Sequence, residues 1–166
     1  MARRQSPAAL AAIFVAVVVL DQLSKWWVMA SFALFESRPV VEGFFRLTYV
    51  LNTGAAFGLL AGPRVWWRQA FFVLVALVAL AVLVSAYRHY RHRGGLYVVA
   101  VGLIGGGAVG NLIDRLRFGA VVDFLDFYIQ THHWPAFNVA DSAITVGVGL
   151  FLLASLREPA PADDQS

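Results

Sequence analysis

Four long apolar stretches separate the polar parts of this chain and limit what it can fold into. They cover residues 8–30, 67–87, 96–113 and 139–156. A helix that crosses a bilayer needs about 20 mostly apolar residues, and each stretch comes close to that length. Because 60% of the residues are apolar and only 14% are charged, the composition agrees. We therefore expect residues 1–157 to form one integral membrane domain with four spans.

Several alternatives are set aside by composition. The chain has no cysteine, which excludes disulfides, thiolate metal sites and a cysteine nucleophile. The net charge of +3 comes mainly from arginines at the ends of apolar runs, so it indicates membrane orientation and not nucleic-acid binding. The first apolar run is interrupted by Asp21 and Lys25, which favours an uncleaved first span over a secreted leader. The proline-rich residues 158–166 are expected to be a disordered cytoplasmic tail.

Charge also predicts the direction of insertion. The arginine-rich loop at residues 88–93, together with Arg3, Arg4 and Arg157, is expected to stay in the cytoplasm. With four spans, both termini then lie in the cytoplasm, and residues 31–66 and 114–138 lie outside. The outer loops also contain arginines, among them Arg38, Arg46, Arg64 and Arg117, so the predicted orientation rests on the higher density of arginine in the inner loop. Five tryptophans are placed as in an interfacial aromatic belt: Trp26, Trp27, Trp66, Trp67 and Trp134.

Two further patterns predict local structure. In residues 44–51, Phe45, Leu47, Tyr49 and Leu51 alternate with polar neighbours, which indicates a half-buried strand and hence a small extracytoplasmic sheet after the first helix. The third span has Gly102, Gly106 and Gly110 at intervals of four. One face of that helix therefore lets a neighbouring backbone approach closely. The expected fold is an all-α membrane protein, a four-helix bundle with a small sheet.

The carboxylates are the candidates for chemistry. Outside the tail the five aspartates all lie within or at the edge of an apolar segment: Asp21, Asp114, Asp123, Asp126 and Asp141. An ionised carboxylate in hydrocarbon costs several kcal/mol, so such residues usually face a protein interior and mark a functional site. Asp123 and Asp141 flank the connection before the last span, which suggests a pair. A structural role stays open for Asp141, since a carboxylate in the first turn also interacts with the helix dipole, and Asn138 is placed to cap that helix.

Other polar residues have structural interpretations that compete with functional ones. Asp21 and Lys25 are four residues apart, so a neutralised pair is favoured over direct catalysis. Ser24 and Lys25 resemble a serine–lysine pair, but adjacent helical residues point about 100° apart. Asp114 and Arg115 can anchor a helix end or contact a substrate. His132 and His133 do not share a face, so no metal site is expected.

Taken together, the polar motifs resemble those of the bacterial lipoprotein signal peptidases, or signal peptidase II. The motifs are Asp21-Gln-Leu-Ser-Lys25, Asn52-Thr-Gly-Ala-Ala-Phe57, Gly106-Gly-Ala-Val-Gly-Asn-Leu-Ile-Asp-Arg115, Val121-Val-Asp-Phe124 and Phe137-Asn-Val-Ala-Asp-Ser142. Each is short, but all occur in the family's order across nearly the whole chain.

The resemblance implies an aspartic endopeptidase of the bacterial cytoplasmic membrane. It would cut prolipoproteins before a cysteine that carries diacylglycerol, with Asp123 and Asp141 as the catalytic pair. It implies supporting or substrate-contacting roles for Asn52, Gly54, Asn111, Asp114, Arg115, Asn138 and Ala140, with Asp21 and Lys25 nearby. Membrane lipids and the inhibitor globomycin would be partners. No metal, other cofactor or nucleic acid is expected, and a monomer is expected.

Two other classes of function fit parts of the sequence. Intramembrane carboxylates also build proton relays in transporters, although four helices without an internal repeat make a poor alternating-access machine. A structural or assembly subunit would pair every aspartate with arginine or with a helix end.

Overall fold

The computed structural model describes residues 7–54, 60, 62–63, 65–92 and 94–157. The tail expected at residues 158–166 lies outside the described residues. Four helices account for the apolar stretches: α1 (Pro7–Ser31), α2 (Trp66–Tyr90), α3 (Gly95–Phe118) and α4 (Val139–Leu156). Each is long and apolar enough to cross a bilayer, as the sequence predicts.

The third helix differs from its predicted extent. Residue 113 was expected to end the span, but α3 continues to Phe118, so that Asp114 and Arg115 lie within its last turns. The helix stops at Gly119, which adopts a left-handed conformation with φ 67°, and the Gly119 N–H donates to the Arg115 carbonyl. Glycine is the usual residue at this position because it has no Cβ to clash. The extra turn brings two charged side chains of α3 to the end of the bundle.

A four-stranded antiparallel sheet lies at that end. Its strands are β1 (Ser37–Val41), β2 (Phe45–Asn52), β3 (Val121–Ile129) and β4 (His132–His133), in the order β1-β2-β3-β4. The predicted strand is confirmed as β2. The sheet also contains two strands from the connection between α3 and α4, which were not predicted from the sequence. Because β2 pairs with β3, both long connections lie at the same end of the bundle.

Apolar side chains fasten the sheet to the helices. Val28 and Phe32 of the α1 region pack against Phe124 of β3, and all three are buried. Leu47 and Tyr49 of β2 cover this cluster from the sheet side, as their predicted shared face requires. The register then pairs Asn52 with Val121 and Val50 with Asp123. This pairing brings the end of β2 next to the first aspartate of β3.

The glycines of α3 and α4 allow the helices to pack closely. A Cβ on Gly106 would lie 2.9 Å from the Phe14 carbonyl oxygen of α1, so the predicted glycine face does meet a neighbouring backbone. On α4, a Cβ on Gly147 would lie 2.9 Å from the Ala100 carbonyl oxygen of α3. Such contacts with backbone atoms cannot be relieved by rotating a side chain. Helix packing therefore depends on these positions having no side chain.

A pair of substitutions in α4 tests this dependence. Gly147→Ala should lower the free energy of unfolding by about 1–3 kcal/mol, since the new methyl group overpacks the contact with α3. Gly149→Ala is the matched control, because a Cβ there meets nothing within 4 Å. Thermal unfolding in detergent should show a lower midpoint for Gly147→Ala alone. Equal midpoints for the two variants would contradict the packing described here.

Candidate active site

A cavity of about 700 Å³ lies where the sheet meets the bundle. It is bordered by the end of β2, by β3, by the last turns of α3 and by the first turns of α4. Its polar lining consists chiefly of Asn52, Asn111, Arg115, Asp123 and Asp141. Both aspartates that the sequence suggested as a pair therefore face one cavity.

Asp123 is almost completely buried, with 2% of its surface exposed. Its carboxylate accepts hydrogen bonds from Asn138 Nδ2 at 2.7 Å and from Asn52 Nδ2 at 3.1 Å. Burial raises the pKa of Asp123 to about 7, and the nearby charge of Asp141 adds to the increase. The two amide donors and the more distant Lys25 partly oppose it. Near neutral pH this carboxyl group is therefore poised between its protonated and ionised forms.

Asp141 has two roles in the first turn of α4. It completes a capping box, in which Asn138 Oδ1 accepts from the Asp141 N–H at 2.9 Å and Asp141 Oδ2 accepts from the Asn138 N–H at 3.3 Å. The predicted cap at Asn138 is confirmed. The other oxygen, Oδ1, accepts from Asn111 Nδ2 at 2.8 Å. The role in capping α4 thus occupies one oxygen of Asp141, Oδ2. The residue also borders the cavity.

Lys25 is the centre of a buried charge cluster. Its Nζ atom lies 2.9 Å from Asp21 Oδ2 and 2.8 Å from Asp114 Oδ2, and each of the three side chains is at most 1% exposed. The predicted contact between Asp21 and Lys25 is present, and Asp114 is a third member. Ser24 donates to the Asp21 carbonyl instead of meeting Lys25. In this cluster one ammonium group forms ion pairs with two carboxylates.

The same cluster holds the segments on which the catalytic candidates lie. Asp21 Oδ1 accepts from the Ala140 N–H at 2.9 Å, which fixes the start of α4. Asp114 Oδ2 accepts from the Val122 N–H at 3.1 Å, which fixes β3 one residue before Asp123. Both contacts join α1 or α3 to a residue adjacent to a cavity aspartate.

Three asparagines orient the two cavity aspartates in the same way. Each has its Oδ1 atom held by a donor: Asn52 by the Gly54 N–H, Asn111 by Lys25 Nζ, and Asn138 by the Asp141 N–H. An asparagine oxygen accepts and its nitrogen donates, so fixing the oxygen fixes where Nδ2 points. Each Nδ2 group then donates to Asp123 or Asp141. Asn138, which is fully buried, bonds both aspartates.

Arg115 closes the side of the cavity formed by the α1–α2 connection. Its Nη2 atom donates to the Gly54 carbonyl at 2.7 Å, and its guanidinium group lies 4.2 Å from the centre of the Phe72 ring. Gly54 in turn holds the oxygen of Asn52. Arg115 is therefore coupled to Asp123 through a backbone turn and an asparagine.

The remaining candidates lie elsewhere. Asp126 bonds Arg46 at 2.6 Å and His133 at 3.0 Å, so it belongs to the sheet. Among the residues that the structure describes, no three His, Cys, Asp or Glu side chains are grouped as a metal site. Trp134, Pro135 and Ala136 form a part of the cavity wall that was not predicted from the sequence. Trp134 was assigned only to the aromatic belt, and no periodic pattern marks this short connection.

Known proteins resemble this chain over most of its length. Residues 13–157 match the family model described as signal peptidase (SPase) II. The lipoprotein signal peptidase of Syntrophotalea carbinolica is 54% identical over 142 residues, which are 86% of this chain and 87% of that protein. The lipoprotein signal peptidase of Cupriavidus necator is 52% identical over 141 residues, 85% of this chain and 79% of the other.

Two solved structures share the fold. One, described as a bacterial membrane enzyme solved by the in meso method at 2.3 Å, has a TM-score of 0.86 and 32% identity and covers 100% of this chain and 98% of its own. A second, described in the same words at 1.9 Å, has a TM-score of 0.77 and 32% identity, with 96% and 99% covered. The chain is thus a multi-pass membrane enzyme. It belongs to the signal peptidase II family, whose members remove signal peptides from prolipoproteins.

Proposed function

We propose that Asp123 and Asp141 are the catalytic pair with which this peptidase cleaves prolipoproteins before a diacylglyceryl-modified cysteine. The observation that carries the proposal is that both carboxylates border one cavity and bond a common buried residue, Asn138. Two carboxyl groups in one site titrate as a unit and keep one proton between them. A peptide bond that enters the cavity meets an acid and a base together.

The reaction then needs one proton donor and one base. Asp141 lies at the N-terminus of α4, where the helix dipole stabilises negative charge, so it is the base. Asp123 holds the shared proton at rest, in keeping with its raised pKa of about 7. Asp141 takes a proton from a water molecule as the water oxygen bonds to the scissile carbonyl carbon, and Asp123 donates to the carbonyl oxygen. When the C–N bond breaks, the proton on Asp141 leaves with the amine, and Asp123 regains its own.

The position of the cavity supports a lipidated substrate. Its lining continues from Asp141 along α4 to Thr145 and Val146, and the Val146 side chain is 55% exposed on the outside of the bundle. A peptide whose acyl chains stay in the bilayer can therefore present its scissile bond from the side. We place the cavity at the outer face of the cytoplasmic membrane, with both termini inside, because Arg88, Arg91 and Arg157 lie at the opposite end. As the family resemblance implies, we expect the enzyme to act as a monomer and globomycin to occupy the same cavity.

Cleavage of a lipidated prolipoprotein by the purified protein tests this function. Globomycin should block the reaction, and the same peptide without diacylglycerol should be cleaved far more slowly. Comparable turnover of lipidated and unlipidated peptides would contradict the proposed substrate class.

Charge-removing substitutions test the catalytic pair. Asp123→Asn and Asp141→Asn should each lower kcat by at least about 10²- to 10⁴-fold, the usual contribution of acid–base catalysis. The matched control is Asp126→Asn on the same strand, since Asp126 is also buried but bonds Arg46 instead of the cavity groups. All three variants should remain inserted and folded. Substantial turnover by either pair variant would refute the dyad.

The raised pKa of Asp123 gives the sign of the pH dependence. Asp123 is the proton donor, so kcat/KM should fall as pH rises through about 7, where its carboxyl group ionises. A pH profile with a substrate that does not titrate in this range measures the effect. A profile that stays flat well above neutral pH would exclude Asp123 as the acid.

Lys25 is expected to affect Asp141 through Asn111. A double-mutant cycle can distinguish this effect on kcat from an effect of Lys25 on protein stability. The variant Lys25→Met with Asp114→Asn keeps the net charge of the cluster. It removes the 2.9 Å bond from Lys25 to the Asn111 oxygen and leaves the 3.2 Å bond from Asn138 Nδ2. Loss of this charge-assisted orientation should lower kcat about 10- to 100-fold. In an Asn111→Ala background the same change should have little further effect on kcat. Additive losses of kcat in the two backgrounds would show that Lys25 does not act on Asp141 through Asn111.

A further inference from the structure

We propose that a cleft at the end of the bundle opposite the sheet binds one acyl chain of an anionic phospholipid. This lipid cleft has a volume of about 230 Å³ and lies between α1 and α2, over α3. Its lining is apolar throughout and includes Leu10, Phe14, Leu83, Tyr87, Val101 and Gly105. It lies at the other end of the spans from the catalytic cavity.

The depth of the cleft comes from a glycine on α3. A Cβ on Gly105 would lie 3.1 Å from the Leu83 side chain and 3.3 Å from the Phe14 ring. These side chains belong to α2 and α1, so the missing Cβ leaves space at the point where the three helices meet. A larger residue at position 105 would fill the floor of the cleft. The space is therefore shaped by helix packing and is open to the hydrocarbon of the bilayer.

The cleft has the length and position of part of an acyl chain in one leaflet. On α2 its lining extends from Leu80 to Tyr87, about 10 Å along the helix axis at 1.5 Å per residue. One leaflet of the hydrocarbon core is about 15 Å deep. Tyr87 is close to the end of α2 and Leu10 is close to the start of α1, so the cleft opens at the level of the headgroups on the termini side.

The charges above the cleft select the headgroup. Arg88 follows Val84 by four residues and Arg91 follows Tyr87 by four, so both continue the face of α2 that lines the cleft. Both arginines are exposed, and no carboxylate in the described part of the chain pairs with either. Guanidinium groups bind phosphate well, and basic side chains at this level attract anionic lipids. These arginines therefore favour an anionic headgroup on the lipid whose chain fills the cleft.

Native mass spectrometry of the purified protein tests the site. The protein is mixed in detergent with equimolar phosphatidylglycerol and phosphatidylcholine that have identical chains. Phosphatidylglycerol should be retained about 10-fold more, as one molecule per monomer, because two arginines face its phosphate and net negative charge. Equal retention of the two lipids would overturn the proposal.

Two sets of variants separate the acyl chain from the headgroup. Ala11→Trp should abolish retention of both lipids, since Ala11 lines the cleft, while Ala12→Trp, on an exposed neighbour outside the lining, should not. Arg88→Gln with Arg91→Gln should remove the preference for phosphatidylglycerol but keep chain binding, and Arg157→Gln is its control. Retention that survives Ala11→Trp, or a dimer that this variant dissociates, would overturn the proposal. If Ala11→Trp fails to fold, the arginine variants still test the proposal through the preference for phosphatidylglycerol.

Discussion

The ammonium group of Lys25 between two buried carboxylates is the interaction on which the site depends. Removing one partner from such a cluster leaves an uncompensated charge, which costs several kcal/mol in a low-dielectric interior. Here the cluster also contacts other elements, because Asp21 accepts a hydrogen bond from the start of α4 and Asp114 accepts one from β3 beside Asp123. Lys25 itself directs the Asn111 amide toward Asp141. One cation thus joins three helices and a strand around the cavity.

The buried aspartates fall into two groups that differ in their partners, and the proposed catalytic chemistry rests on this difference. Asp21 and Asp114 both form ion pairs with Lys25, and Asp126 forms one with Arg46, so these three have partners of opposite charge. Asp123 and Asp141 accept hydrogen bonds from amide and backbone N–H groups instead, which fits the proton exchange proposed for them. A structural subunit would have paired Asp123 too with a cation or a helix end, whereas its carboxylate accepts from two asparagine amides. A transporter would have carboxylates at several depths of the bilayer, whereas this pair shares one cavity at the sheet end. The family to which the chain belongs is also one of peptidases.

Local features of the sequence predicted much of this arrangement. The four spans follow from apolar length, the contact between Asp21 and Lys25 from a spacing of four, and the cap of α4 from Asn138. The third partner of Lys25 and the orientation of Asn111 were not predicted, because these contacts join residues 89 and 86 positions apart and depend on helix packing. Strand β3 was missed because Asp123 and Asp126 make its sequence resemble an interfacial loop; its pairing with β2 outweighs that weak local preference. The catalytic roles proposed for Asp123 and Asp141 draw on the family resemblance, because their spacing alone left a structural role open for Asp141.

Infrared difference spectroscopy of the carboxyl C=O stretch tests the shared proton most directly. At neutral pH the resting enzyme should show one partly protonated carboxyl group, whose signal grows as pH falls and shifts in deuterated water. Its signal should disappear as pH rises beyond the pKa of about 7, and it should be missing from the Asp123→Asn protein. A spectrum without such a group at neutral pH, or a signal that persists in Asp123→Asn, would contradict the assignment of the proton to Asp123.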